Sequence, residues 1–161
     1  PYNVVGEIQA RGTNIMSGYY KNEEATKAAF TEDGWMNTGD LGVIDKAGNI
    51  FIRGRSKNMI LTSNGQNIYP EEVEAACNNQ PYVIESVVVD RKGVLVALLY
   101  MDKDKMAADG IQGDALEEKL KEIRISVNKD MPAYSKIGKI EVMDQPFEKT
   151  PKMSIKRFLY S

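Results

Sequence analysis

The chain has 161 residues, 42% of them hydrophobic, with 21 basic against 23 acidic side chains and a formal net charge of −2. Charge this balanced, gathered into no long block, gives no nucleic-acid footprint, and no apolar run approaches the ~18 residues of a membrane span. There is no histidine and a single cysteine, Cys77. That rules out Ser-His-Asp and Cys-His nucleophile systems, His-containing zinc sites and an internal disulfide within the chain, and a lone thiol suits the cytoplasm.

Residues 4 to 16 alternate loosely around Gly6 and Gly12, which predicts strands with tight bends. Asn22 is placed to cap a short helix over Glu23 to Phe30, whose first turn is acidic. Asp33-Gly34 predicts a turn, and Leu41 to Asp45 with Asn49 to Arg53 predict a hairpin around Lys46-Ala47-Gly48. Near Gly54 the pattern changes from mostly β to alternating helices and strands. Ser56 to Thr62 reads as a strand, Ser63-Asn64-Gly65 as a turn, and Pro70 as the first position of a helix. Ser86 to Asp90 and Val94 to Met101 form a second expected hairpin around Arg91-Lys92-Gly93. Leu116, Leu120, Ile123, Val127 and Met131 recur at three- and four-residue steps, so a helix is expected from an Asp114 cap to about Met131, ended by Pro132. Ile137 to Val142 is the last predicted strand, and the tail from Phe147 is basic and loop-like.

The expected class is therefore α+β, a small β-rich segment followed by a compact α+β domain. The front piece, at about fifty residues, is too small to build a sufficient core alone. The chain opens at Pro1, already in a strand-like pattern, and is expected to be cut from something longer.

Three stretches carry polar residues for which a purely structural reading has little use. In Gly34-Trp35-Met36-Asn37-Thr38-Gly39-Asp40, the Asp40 carboxylate can accept two neighbouring hydroxyls such as those of a ribose, or can cap a turn. In Arg53-Gly54-Arg55-Ser56-Lys57, Arg55 offers a planar fork of donors to phosphate or ribose and Lys57 falls at the junction; the alternative is a solvated linker. Lys149 to Arg157 is suited to an anion, or is a solvated tail.

The ordered series Gly6-Glu7-Ile8, Gly18-Tyr19, Thr26, Phe30, Asp33-Gly34-Trp35, Thr38-Gly39-Asp40, Asp45, Gly48, Gly54-Arg55-Ser56-Lys57, Ile60, Gly65, Pro70 and Glu74 resembles the adenylate-forming superfamily of acyl-CoA synthetases, luciferases and peptide-synthetase adenylation domains. The tail, Pro146-Phe147-Glu148-Lys149-Thr150-Pro151 and then Ile155-Lys156-Arg157, is similar to that of long-chain fatty acid CoA ligases in particular. The resemblance implies that residues 1–55 close a large N-terminal ATP-binding domain and that 56–161 are a mobile C-terminal lid. By it, Asp40 matches the aspartate on the ribose of ATP, Arg55 an arginine that contacts the nucleotide, Lys57 the hinge, and Gly65 a glycine on the path of CoA. Taken alone, Gly65 is equally a turn glycine. The implied reaction joins a fatty acid to AMP with loss of pyrophosphate, then passes the acyl group to the thiol of CoA. The implied partners are the missing N-terminal domain, ATP or AMP, fatty acid and CoA, with Mg²⁺ in the whole enzyme and nothing tightly bound to this chain.

One departure is specific. Laying Pro151, Ile155 and Arg157 on the family's C-terminal pattern puts Ser154 where a catalytic lysine stands; either a flanking lysine, Lys152 slightly preferred over Lys156, substitutes for it, or adenylation relies on other groups, or the ligase is weak or altered. Since the residues that hold the phosphates, magnesium and acyl group lie upstream of this segment in the family, the isolated chain is expected to be inactive. Two other readings are a non-catalytic lid-like binding module and an adenylation domain that loads a carrier protein.

Overall fold

The structure, a computed structural model, describes residues 2–161. It is α+β, and the chain divides into two compact units, Pro1–Met59 and Ile60–Ser161.

In the first unit, strands β1 (Gly6–Ala10), β2 (Met36–Ile44) and β3 (Ile50–Arg55) form an antiparallel sheet in that order, and α1 (Glu23–Ala29) lies between β1 and β2 in the chain. Helix α1 starts where expected because the Asn22 side chain accepts from the Ala25 N–H. The β2–β3 hairpin is closed by Asp45, whose Oδ1 accepts from the N–H groups of Ala47 and Asn49. Strand β2 begins at Met36 and not at Leu41, which draws Thr38-Gly39-Asp40 into the sheet. Gly42 is required at its position: a Cβ there would stand 2.9 Å from both Ile8 Cδ1 and the Phe51 carbonyl oxygen. Among the described residues of this unit, Val43 is the one buried hydrophobic side chain, while Ile44, Ile50, Phe51 and Ile52 are exposed.

The second unit opens with a short hairpin, β4 (Ile60–Leu61) and β5 (Asn67–Ile68), followed by α2 (Pro70–Asn78). Strands β6 (Val83–Arg91), β7 (Val94–Met101) and β8 (Lys139–Met143) make a sheet in that order, antiparallel between β6 and β7 and parallel between β7 and β8. Helices α3 (Lys103–Ala108) and α4 (Asp114–Lys129) connect β7 to β8. Because side chains alternate along a strand, β6 and β7 have two apolar faces. Val88, Ala97 and Leu99 pack with Val73 and Cys77 of α2 and Ile123 and Val127 of α4. Val87, Val89, Val96 and Leu98 pack instead against Phe147, with Ile155 and Tyr160 at the margin, so the C-terminal tail covers the face that the helices leave open.

Other elements differ from the sequence expectation as well. Ser56 to Thr62 is a 3₁₀ turn, Ser56–Asn58, followed by two strand residues. Helix α3, short and weakly patterned, was unforeseen; the Asp102 side chain caps it by accepting from the Lys105 N–H. Helix α4 is capped by Gly113, with Asp114 inside the first turn, and it ends at Lys129. Strand β8 starts at Lys139 because Ile137 is already paired: the Asn128 side chain accepts from its N–H at 2.7 Å and donates to its carbonyl at 2.9 Å.

Candidate functional site

In the first unit Asp40 on β2 and Arg55 on β3 are register partners, and Arg55 Nη1 lies 3.0 Å from Asp40 Oδ1. The pair is accessible, with side-chain exposures of 32% for Asp40 and 58% for Arg55. A screened pair of this kind contributes little to stability, so its interest is as a recognition surface. The surrounding backbone is tied down. Thr38 Oγ1 donates to the Ile8 carbonyl at 2.7 Å and accepts from the Asp40 N–H at 3.1 Å, and Glu7 Oε1 accepts from the Gly39 N–H at 3.1 Å. Gly39 has a φ of +76°, left-handed territory in which a side chain is strained. The turn-capping alternative for Asp40 does not describe this sheet, because Asp40 lies within β2 and Asp45 serves the hairpin turn. Trp35 carries the Arg11 guanidinium over its ring, 4.6 Å from the centroid. Lys57 is exposed in the 3₁₀ turn that ends beside Met59, where the chain divides.

In the second unit Gly65 sits at the β4–β5 turn with a φ of +75°, and a Cβ there would meet nothing within 4 Å. Its conformation accounts for the glycine, and the space around it is open. The turn is closed by Thr62, whose N–H donates to the Gln66 carbonyl at 2.9 Å while Thr62 Oγ1 accepts from the Gln66 N–H at 3.0 Å. Beside this turn is a cleft of about 540 Å³ whose lining includes Ser63, Asn64, Asp90, Val94, Tyr134 and Lys136. Tyr134 and Lys136 carried no sequence signal, since the cleft is assembled from three segments far apart in the chain.

The tail makes a second tight turn. Lys149 and Ile155 form an antiparallel bridge, the Thr150 N–H donates to the Ser154 carbonyl at 2.8 Å, and the Met153 N–H donates to the Thr150 carbonyl at 2.9 Å. Lys152, Met153 and Ser154 are exposed on it. Lys156 Nζ is engaged by Glu148 Oε2 at 3.2 Å, Lys149 by Glu85, and Arg157 by Glu74. Lys152 is the one tail cation without an ion pair among the described residues. Glu74 is buried; its carboxyl is pushed up by loss of water, against the pull of Arg157 and of the Val88 N–H, which donates to Oε1 at 2.6 Å. Glu74 was legible from the sequence as part of a pattern; its pairing with Arg157, 83 residues away, was not.

The predicted site residues thus fall in two groups. Asp40, Arg55 and Lys57 lie in the first unit, where Asp40 and Arg55 are brought together, and Gly65, Lys152, Ser154 and Lys156 belong to the second. Among the described residues no group of three or more His, Cys, Asp or Glu side chains could hold a metal ion, and no helix is long and apolar enough to cross a membrane.

Residues 57–160 match the family model of the AMP-binding enzyme C-terminal domain. The chain belongs to this family. As an AMP-binding C-terminal domain it is 43% identical over 100 residues to a long-chain-fatty-acid–CoA ligase of Mycobacterium tuberculosis, covering 62% of this chain and 16% of that one. It is 45% identical over 89 residues to the sulfoacetate–CoA ligase of Cupriavidus necator, covering 55% of this chain and 17% of the relative. Among solved structures, o-succinylbenzoate CoA synthetase of Bacillus subtilis, in complex with its acyl-adenylate intermediate, superposes with a TM-score of 0.82 at 28% identity. That match covers 100% of this chain and 31% of the synthetase. The same synthetase is also known in complex with ATP and magnesium, and superposes with a TM-score of 0.75 at 30% identity over 98% of this chain and 30% of that one. The chain spans less than a third of the length of each of these relatives.

Proposed function

We propose that this chain is the C-terminal part of an adenylate-forming acid–CoA ligase, with residues 1–55 ending the nucleotide-binding domain and 56–161 forming its lid. The observation that carries the reading is the Asp40–Arg55 pair: a carboxylate and a guanidinium in register on adjacent strands, accessible, and held by a backbone that Thr38 and Glu7 fix. In this reading Asp40 accepts the ribose hydroxyls of ATP and Arg55 contacts the nucleotide. The exposed apolar surface of the same sheet supports a partner, and we assign it to the N-terminal domain of the same enzyme. ATP and CoA are substrates of that enzyme; Mg²⁺ would be held by groups outside this chain's described residues. We propose the cytoplasm as its setting, on the single thiol, which is buried.

The carboxylate oxygen of the acid bonds to the α-phosphorus as the bond to pyrophosphate breaks. The thiol of CoA then attacks the acyl carbonyl, and AMP leaves. The lid would supply a cation to the first step and withdraw it for the second, turning at Lys57. Ser154 cannot be that cation. Lys156 is engaged by Glu148, which favours Lys152 on the exposed turn. Gly65 and the adjoining cleft fit the approach of CoA, with Lys136 as a phosphate partner.

Tail similarity and the mycobacterial relative support a fatty acid as substrate, while the sulfoacetate and o-succinylbenzoate enzymes show that the family accepts other acids. The test is acid-dependent ATP–pyrophosphate exchange by the full-length polypeptide across aliphatic, aromatic and sulfonated acids, with CoA and a carrier protein compared as acceptors. Exchange is expected with long aliphatic acids, and Lys152→Ala is expected to reduce it about a hundredfold, Lys156→Ala less than about threefold. Ser154 itself favours a second reading, a lid-like module without chemistry. Absence of exchange with every acid would select that reading.

A further inference from the structure

The two ends of the tail turn are each tied to the body of the second unit by an ion pair, and each pair reaches a different element. Lys149, one residue before the turn, pairs with Glu85 on β6, beside the register shift in that strand. Arg157, three residues after Ser154, pairs with Glu74 on α2. Both carboxylates depend on these partners. Glu85 Oε2 is buried and finds no hydrogen-bond partner among the described residues, so Lys149 carries the compensation of that group. Glu74 shares its two oxygens between the Val88 N–H and Arg157.

Stability alone is a poor reason for this arrangement. Apolar cover of the sheet is already supplied by Phe147, whose ring meets that of Tyr160 edge-on at 5.0 Å, and withdrawing ion pairs from water largely cancels their attraction. What two pairs on two elements do well is fix position. One anchor leaves a turn free to pivot, whereas two, with the Lys149–Ile155 bridge between them, define where its tip stands.

We propose that the Lys149–Glu85 and Arg157–Glu74 pairs are positioning residues that clamp the turn 150–154 and thereby set where Lys152 is presented to the reacting phosphate. The proposal rests on the ligase reading above. It assigns no contact with substrate to any of the four residues.

The test is a charge-swap cycle at the more exposed pair, Glu85→Lys, Lys149→Glu and the double variant, with Arg157→Lys and Arg157→Ala at the other. Acid-dependent pyrophosphate exchange and thioester formation from supplied acyl-adenylate are measured separately in the full-length polypeptide. Each single swap and Arg157→Ala should lower kcat of exchange about tenfold or more, with KM for ATP within about twofold and thioester formation unchanged. The double swap and Arg157→Lys should recover most of the loss. Tryptic cleavage after Lys152 in this chain is the second readout, faster in the singles and restored in the double. If exchange is unaffected by the singles while cleavage accelerates, the pairs are structural only and the proposal falls while the ligase reading stands. A double variant as slow as the singles would also overturn it. No exchange by the unaltered polypeptide removes the ligase reading and this proposal together, while the cleavage cycle would still report whether the clamp exists.

Discussion

Single residues carry most of what can be tested in this chain. Cys77 is fully buried on the inner face of α2, and burial with the nearby Glu74 charge pushes its thiol up from 9.0 to about 12. The folded state therefore holds this proton more tightly than the unfolded state. Its contribution to stability is fully present below pH 9 and is lost as the pH rises toward 12. The native thiol is expected to be inert to a disulfide reagent at pH 8, reacting only at the rate of unfolding, and Cys77→Ala should flatten the alkaline fall in stability. Fast labelling of the folded chain would contradict the packing. Lys136 makes a different kind of claim. If it meets a phosphate of CoA, Lys136→Ala should raise KM for CoA about tenfold and leave pyrophosphate exchange unchanged.

At the scale of elements, local chemistry was the legible part. Asn22, Pro70 and the Asp45 turn act within a few residues, and the structure places the corresponding helix starts and hairpin where the sequence did. The boundary errors have no single cause: α3 and α4 start at the local caps Asp102 and Gly113, whereas others were set by features the local pattern does not show. Asn128 holds Ile137 out of β8, and the stretch after Arg55 turns where the chain passes between units. Asp40 and Arg55 were legible as motif residues, yet their pairing required the register of β2 against β3. The tail was read as a solvated loop because its partners, Glu74 and Glu85, lie on α2 and β6. Its role as cover for the sheet gives a direct prediction. Phe147→Ala removes the main side chain over Val87, Val89, Val96 and Leu98 and should destabilise the second unit by about 3–5 kcal/mol. A Cβ at Gly138 would lie 2.6 Å from Val94 Cγ1, so Gly138→Ala should cost about 1–3 kcal/mol by overpacking. Chemical denaturation of both variants measures these costs, and a Phe147→Ala change below about 1 kcal/mol would show that the tail is not part of the core.

For the whole molecule, the contrast between the units matters most. The second has two apolar clusters and a sheet covered on both faces, whereas the first presents a three-stranded sheet with a single buried hydrophobic side chain among its described residues. Composition and motif order anticipated this asymmetry; the extent of the exposed apolar sheet could not be read before the strands were paired. In the proposed ligase the lid turns about Lys57 between successive half-reactions. Lys57→Pro in the full-length polypeptide removes φ freedom at that residue, and the two half-reactions can be followed separately as pyrophosphate exchange and as thioester formation from supplied acyl-adenylate. One half-reaction should fall about a hundredfold while the other stays within about threefold. Equal changes in both, or no change in either, would contradict a lid that swings at this point.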